Sequence, residues 1–440
     1  MSESGPRLRP TPTGASARRR VLAWGLWDCG ATGLNAIVIT FVFSVYLTGS
    51  VGAGLPGDTS PASWLGRAMT VAGLVIALLA PVTGVLVDAP RRRRAALTVL
   101  TLAAVCFTAA MVLIRPDHHY LWAGLVLLAC AAASAELATV PYNAMLRGLS
   151  TGPTTGRISG FGAAMGYFGS VLLLVLVYVG FIAGSGDRRG LLGLPHDDGQ
   201  NVRAAMLLTA AWFLLFALPL LITARSVTAA APAPRLGLLG AYRRLWSEVV
   251  GEWRRDRHLV YYVIASAVFR DGLSGVYAFG AVLGVSVYGV SDADVLLFGI
   301  TACVIAAAGA VLGGLLDDRL GSKPVIIGSL TAMIAVGLTM LALSGPLAFW
   351  VCGLLLCLFV GPTQASARTL MLRMSSRGKE GVAFGLYTTA GRAVSFLAPW
   401  LFFMFIDIFG TDRAGMAGLC VVLAAGLAGM LLVRTPGRAR

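Results

Sequence analysis

The sequence predicts an all-α membrane protein of twelve transmembrane helices in two related six-helix bundles. Three observations lead there: the apolar composition, the spacing of runs long enough to cross a bilayer, and matching strings in the two halves of the chain. Of 440 residues, 57% are hydrophobic and 12% charged, against about 25% charged in a soluble domain. Mean hydropathy is +0.80. Lipid is the solvent that fits this composition.

Apolar windows bounded by charges or by glycine and proline place helices near Leu22–Thr48, Trp64–Val87, Ala95–Ile114, Tyr120–Asn143, Ile158–Gly184 and Ala204–Thr223 in the first half. The second half gives Leu259–Tyr288, Val295–Leu316, Val325–Ser344, Leu347–Leu370, Val382–Ile408 and Met416–Val433. Such runs, about 20 residues at about 1.5 Å rise each, cross a hydrocarbon core of about 30 Å. The first run follows an Arg-rich tail and exceeds a signal-peptide core, so it reads as a retained helix.

The formal charge of +15 raises the question of nucleic acid, but the cations are spread over short loops with no accompanying binding motif. With the N-terminus inside, about 27 Lys/Arg fall in the seven inner segments and six in the outer loops. This asymmetry puts both termini in the cytoplasm of a multi-pass protein of the cell inner membrane. The seven cysteines all lie in apolar segments without metal-ligand spacing. The histidines, His118, His119, His196 and His258, fall in loops or at a helix edge, and no catalytic or nucleotide-binding motif is present. No enzyme activity, metal or cofactor is expected. The expected partners are a small solute and the bilayer, and the expected state is a monomer.

Residues 1–223 form the expected N-terminal bundle, 224–257 a cytoplasmic linker, and 258–440 the C-terminal bundle. Within the linker, Leu239, Tyr242, Leu245, Trp246, Val249 and Trp253 would share one helical face, with Arg243, Arg244, Arg254 and Arg255 largely off it. That pattern predicts an amphipathic helix resting on the inner leaflet.

Duplication is legible in four places. SGFGAAMGYFGS from Ser159 aligns with FGLYTTAGRAVS from Phe384, pairing Gly160 with Gly385 and Gly166 with Gly391. Pro141-Tyr142-Asn143-Ala144 aligns with Pro362-Thr363-Gln364-Ala365, and GVLVD ending at Asp88 with GGLLD ending at Asp317. In the first helix of each half, Asp28 and a later Ser-Val-Tyr answer to Asp271 and the same tripeptide. Two such bundles about a pseudo-twofold along the membrane normal form the major facilitator architecture, with a central cavity between them.

The chain resembles the autophagy-type vacuole effluxers of the Major Facilitator Superfamily and their bacterial relatives. The resemblance rests on AWGLWDCGATGLNAIVITFVFSVYL in the first helix, YNAMLRGLSTGPTTGRISGFGAAMGYFGS across the fourth and fifth, FRDG in the seventh, and GPTQASARTLMLRMSSRGKEGVAFGLYTTAGR across the tenth and eleventh. It implies a transporter fold and, from the eukaryotic members, efflux of amino acids. The chain departs at Arg270, where a neutral polar residue is usual, and at Arg392, where lysine is usual. It also has APRRRR after Asp88, where the superfamily signature places a glycine.

Ionisable groups inside a membrane are costly, so they face a cavity or a partner. Asp28 and Asn35 share a face of the first helix, Glu136 lies in the fourth, Arg270 and Asp271 in the seventh, and Arg392 in the eleventh. One reading is a cavity in which Asp28 and Asp271 attract an amine or a proton while Arg270 or Arg392 meets a carboxylate. The other is that these four charges pair with one another between helices. Glu136 is a candidate lone proton carrier, or a group that reaches Arg147. Tyr387 and Tyr167 are candidates either for cavity aromatics or for packing between helices, and Gly160, Gly162, Gly166 and Gly169 are expected to permit close helix packing. Asp88, Arg157 and Asp317 are expected at a cytoplasmic gate. The function expected is secondary transport of a small polar solute, an amino acid or a drug-like metabolite, by alternating access, either coupled to a proton or cation or facilitative. The competing readings are a sugar-cation symporter-type permease and a non-transporting membrane protein.

Overall fold

A computed structural model describes residues 14–184, 188–195, 198–223 and 257–435, with scattered positions between 240 and 254. Twelve of its helices are long and apolar enough to cross a membrane. In the first half these are α1 (Ala15–Val51), α2 (Pro61–Val87), α3 (Arg91–Leu113), α4 (His118–Ala144), α5 (Gly152–Ile182) and α6 (Gln200–Thr223). The second half comprises α7 (Arg257–Gly280), α8 (Leu297–Leu320), α9 (Ser322–Ala342), α10 (Pro346–Met374), α11 (Glu380–Phe409) and α12 (Ala414–Leu432). The helix of α7 continues to Ser286 and that of α8 begins at Asp292. An antiparallel ribbon, β1 (Arg188–Arg189) with β2 (Leu194–Pro195), sits between α5 and α6.

Local chemistry explains the ends. Ser60 accepts the Ser63 N–H at 3.2 Å ahead of α2, and Ser291 accepts the Asp294 N–H at 3.2 Å ahead of α8. After α8 the chain turns at Gly321, whose φ of 99° suits only glycine. Several helices outrun their apolar windows. The tenth continues past Leu370 to Met374, so Arg373 joins Arg368 inside α10, although the charge pattern counts both with an inner loop. The apolar window stops at the charges, whereas the helix stops only where its backbone loses partners.

The eleventh span is interrupted, which the hydropathy profile does not show. Its two pieces, Glu380–Val394 and Leu397–Phe409, meet at Ser395 and Phe396. Pro399 explains the break: it has no N–H to give to Ser395, and its ring crowds that carbonyl.

Each bundle has an aromatic core. Trp24 and Trp27, both fully buried, stack on Tyr142 with ring centroids 4.5 and 4.4 Å apart, and the Trp24 indole N–H donates to the Tyr142 carbonyl at 3.1 Å. In the second half Phe298 packs on Phe349 at 4.5 Å, and Phe279 on Phe402 at 4.0 Å. The bundles meet along α2 against α11 and α5 against α8. Glycines set the approach: a Cβ on Gly314 would lie 2.6 Å from the Gly156 carbonyl oxygen, and one on Gly84 would run into the Gly381 carbonyl.

These contacts give the structural register of the repeat. Gly84 against Gly381 corresponds to Gly314 against Gly156, and Gly385 over Ala80 to Gly160 over Ala310. Asp88 therefore answers to Asp318, one residue beyond the Asp317 of the sequence alignment. Shifted by one, GVLVD lies over Gly314-Leu315-Leu316-Asp317-Asp318, where the glycine, two apolar residues and the final aspartate still match, and the glycine contacts decide between the registers. Most of the amphipathic linker pattern, Leu239 to Trp253, lies outside the described residues.

Candidate functional site

A cavity of about 510 Å³ lies between the halves. The first half supplies Asn35 of α1 and Glu136, Thr139 and Asn143 of α4. The second half supplies the rest: Arg270, Asp271, Ser274, Gly275, Ala278 and Phe279 of α7, Gln364 and Arg368 of α10, and Tyr387, Thr388, Gly391, Arg392, Ser395 and Pro399 of α11. The α7 residues recur at helical spacing and form one stripe, with guanidinium and carboxylate at one end and the Phe279 ring at the other.

Each charge has a definite partner. Glu136 Oε2 lies 3.0 Å from Arg392 Nη2, joining α4 to α11 across the halves. Asp28 Oδ2 lies 3.5 Å from Arg368 Nη2, joining α1 to α10, and Thr32 donates to Asp28 Oδ1 at 3.3 Å. The Arg368 guanidinium also sits 5.5 and 5.6 Å from the Trp24 and Tyr142 rings, so a cation of the second half enters an aromatic box of the first. Arg270 lies over the Tyr387 ring at 3.8 Å and donates to the Tyr387 carbonyl at 3.1 Å. Asp271 accepts the Ala398 N–H at 2.6 Å. It thereby caps the second piece of α11, where the Pro399 break frees backbone donors.

Beyond the cavity, on the face that carries both chain ends, a polar belt closes the halves together. Glu380, 3% exposed, receives Arg93 at 3.3 Å and Arg147 at 2.5 Å. Arg147 also donates to the Leu372 carbonyl and to Ser375, whose carbonyl and hydroxyl both lie at 2.8 Å. Asp88 accepts the Gly381 N–H at 2.8 Å at the start of α11. Asp318 accepts the Gly156 and Arg157 N–H groups at 2.7 and 3.1 Å at the start of α5, with the Arg157 side chain 3.6 Å away. Each carboxylate thus meets the positive end of a helix from the opposite half. Burial pushes the Asp88 carboxyl up to about 6.

Residues 55–439 match the family described as "Vacuole effluxer Atg22 like". The chain belongs to this family. It is 20% identical over 405 residues to YxiO of Bacillus subtilis, described as an uncharacterized MFS-type transporter, covering 92% of each protein. Autophagy-related protein 22 of Yarrowia lipolytica is 21% identical over 310 residues, which are 63% of this chain and 50% of that one. The chain therefore spans about half the length of that fungal relative. Among solved structures, the Major Facilitator Superfamily transporter FucP in its outward conformation superposes with a TM-score of 0.69 at 15% identity, over 96% of this chain and 99% of FucP. The protein is thus a multi-pass transporter of the major facilitator fold, related to the Atg22 family.

On this Atg22-like scaffold, Asn35, Glu136, Arg270, Asp271, Tyr387 and Arg392 share one cavity, and Asp28 stands behind it through Arg368. Asp28, Asp271, Arg270 and Arg392 do not pair among themselves; each takes another partner. Glu136 does not stand alone and does not reach Arg147, which binds Glu380 instead. Asp317 meets Arg373 at 2.6 Å within its own half, and the contact across the halves belongs to Asp318. Tyr167 reaches the cavity indirectly, through a 3.3 Å contact with Gln364. Sequence reasoning missed Arg368 and Glu380 because both adjoin basic loops. The available signal for Arg368 was its position inside the expected end of the tenth helix.

Proposed function

We propose that the protein is a secondary transporter of a small solute bearing a carboxylate, with amino acids as the first class to test, working by alternating access around the central cavity. The observation that carries this reading is the cavity itself: three guanidiniums, Arg270, Arg368 and Arg392, converge between two halves that are latched on one face. Arg270 has the ring and carbonyl of Tyr387 as its partners, which leaves it placed for an incoming anion. Residues 1–223 and 258–440 are the two rocking units, with Asp88, Arg157 and Asp318 in the latch between them. Asp317 supports that latch by holding Arg373.

Purified protein in proteoliposomes, given a radiolabelled amino-acid mixture with and without an imposed pH gradient, tests the function. Arg270→Ala is expected to weaken uptake by about tenfold or more, seen mainly in KM, as loss of one charge-assisted contact predicts. Uptake unchanged by that substitution would remove Arg270 from the solute site.

The same reading puts the chain ends in the cytoplasm of a bacterial inner membrane and the β1–β2 ribbon outside, because inner segments hold most of the cations. Leu191, 84% exposed beside the ribbon, reports this directly. Leu191→Cys in intact cells is expected to react with an impermeant maleimide; reaction only after permeabilisation would reverse the orientation.

A further inference from the structure

We infer that Glu136 is a built-in occupant of the solute's carboxylate site, and that the solute displaces it from Arg392 only as Glu136 takes up a proton. Solute and proton then travel in the same direction. The inference rests on the cavity being the solute site.

The argument begins with what surrounds Glu136. From α11, Arg392 holds its carboxylate at 3.0 Å. From α7, Arg270 lies within electrostatic reach, its guanidinium laid flat on Tyr387. Gly391 leaves it room, since a Cβ there would come within 3.2 Å of Arg270 Nη1. Two guanidiniums from the second half therefore flank one carboxylate from the first. Guanidinium forks suit carboxylates in general, whether that of a side chain or of a solute. The first half fills this receptor with its own acid.

The neighbouring charges are already engaged. Arg368 of α10 is bound to Asp28 of α1, and Asp271 of α7 accepts the Ala398 N–H. Asn35 of α1 is neutral. A solute carboxylate held between Arg392 and Arg270 leaves Glu136 no guanidinium of its own. An ionised carboxylate in the membrane interior without a partner is costly, by at least about 2.5 kcal/mol on insertion scales. Protonation removes that cost. The proton comes from water in the cavity, converting the Glu136 carboxylate to the acid. It leaves on the other face when the solute departs and Glu136 rebinds Arg392. Opening the Glu136–Arg392 contact also releases a tie between the halves, so loading and rocking are coupled.

Two readouts on Glu136→Gln, an uncharged side chain of the same shape, test this. In proteoliposomes the radiolabelled amino-acid mixture should still exchange across the membrane. The variant should neither accumulate it under an acid-outside gradient nor carry protons to an internal pH dye. Accumulation equal to wild type overturns the inference. If wild type carries no amino acid, the amino-acid reading fails, and the second readout decides, without any solute, whether Glu136 ties the halves through Arg392. Spin labels at Ala62→Cys and Thr411→Cys, one on each half at the face away from the chain ends, report the separation of the halves. At one pH, about 7, and without solute, Glu136→Gln should show a distance distribution displaced from that of wild type, because its tie to Arg392 across the halves is weakened to a neutral contact. A distribution in Glu136→Gln identical to that of wild type overturns the proposal.

Discussion

Glu380→Ala is expected to unlatch the closed face, shifting the balance between closed and open states by about 100-fold. Glu380 is buried, and it is the shared partner of Arg93 and Arg147, which come from the opposite half. Removing one member of a buried ion pair costs about 3–5 kcal/mol, because the charge left behind has no partner. Here two guanidiniums would face each other across the vacated site. The state with this face closed loses that energy, while the state with it open, where the halves are apart, loses little. A ligand or mutation can shift a two-state equilibrium only through such a difference. The measurement is the reaction rate of Ser375→Cys, which lies at the Arg147 contact, with a reagent applied from the side of the chain ends. It should rise sharply in the Glu380→Ala background. An unchanged rate would mean that the glycine seams alone keep the face shut.

Asp28→Asn and Asp271→Asn are expected to behave differently, although the sequence presents them as equivalent members of a repeat. Asp271 accepts a backbone N–H at 2.6 Å, and an asparagine oxygen can accept the same bond. Transport by Asp271→Asn should stay within about threefold of wild type, the loss being that of a charge-assisted bond becoming a neutral one. Asp28 neutralises Arg368, which is enclosed by Trp24 and Tyr142. Its replacement leaves a guanidinium without its counter-charge between the halves, and transport should fall by about 100-fold or more, consistent with breaking a buried pair. Equal loss in the two variants would contradict the distinct roles drawn here.

The fold was legible because lipid imposes it: runs of apolar residues fix the spans, and basic loops fix the expected sidedness. The cavity residues Asn35, Glu136, Arg270, Asp271 and Arg392 were legible for a related reason, since polar groups in a membrane need a partner or a cavity. Their partners were not. Arg368 sits near enough to the basic loop before Glu380 to pass as a loop cation, and only the approach of α10 to α1 places it against Asp28. The break in α11 was equally hidden. Ser395 and Pro399 are commonplace in hydrophobic segments, and it takes the fold to show that Asp271 comes across to cap the freed backbone. The one-residue difference between Asp317 and Asp318 shows the limit of alignment inside apolar repeats, where glycine contacts set the register.

Ser274 lies on the cavity stripe of α7, one turn from Arg270, and its reactivity as a cysteine tests alternating access most directly. In proteoliposomes of known orientation, an impermeant thiol reagent should modify Ser274→Cys from the face opposite the chain ends while no solute is present. With solute supplied and a gradient driving turnover, modification should appear from the other face as well. Reaction from the chain-end face alone at rest, or from neither face under any condition, would contradict a solute path through this cavity.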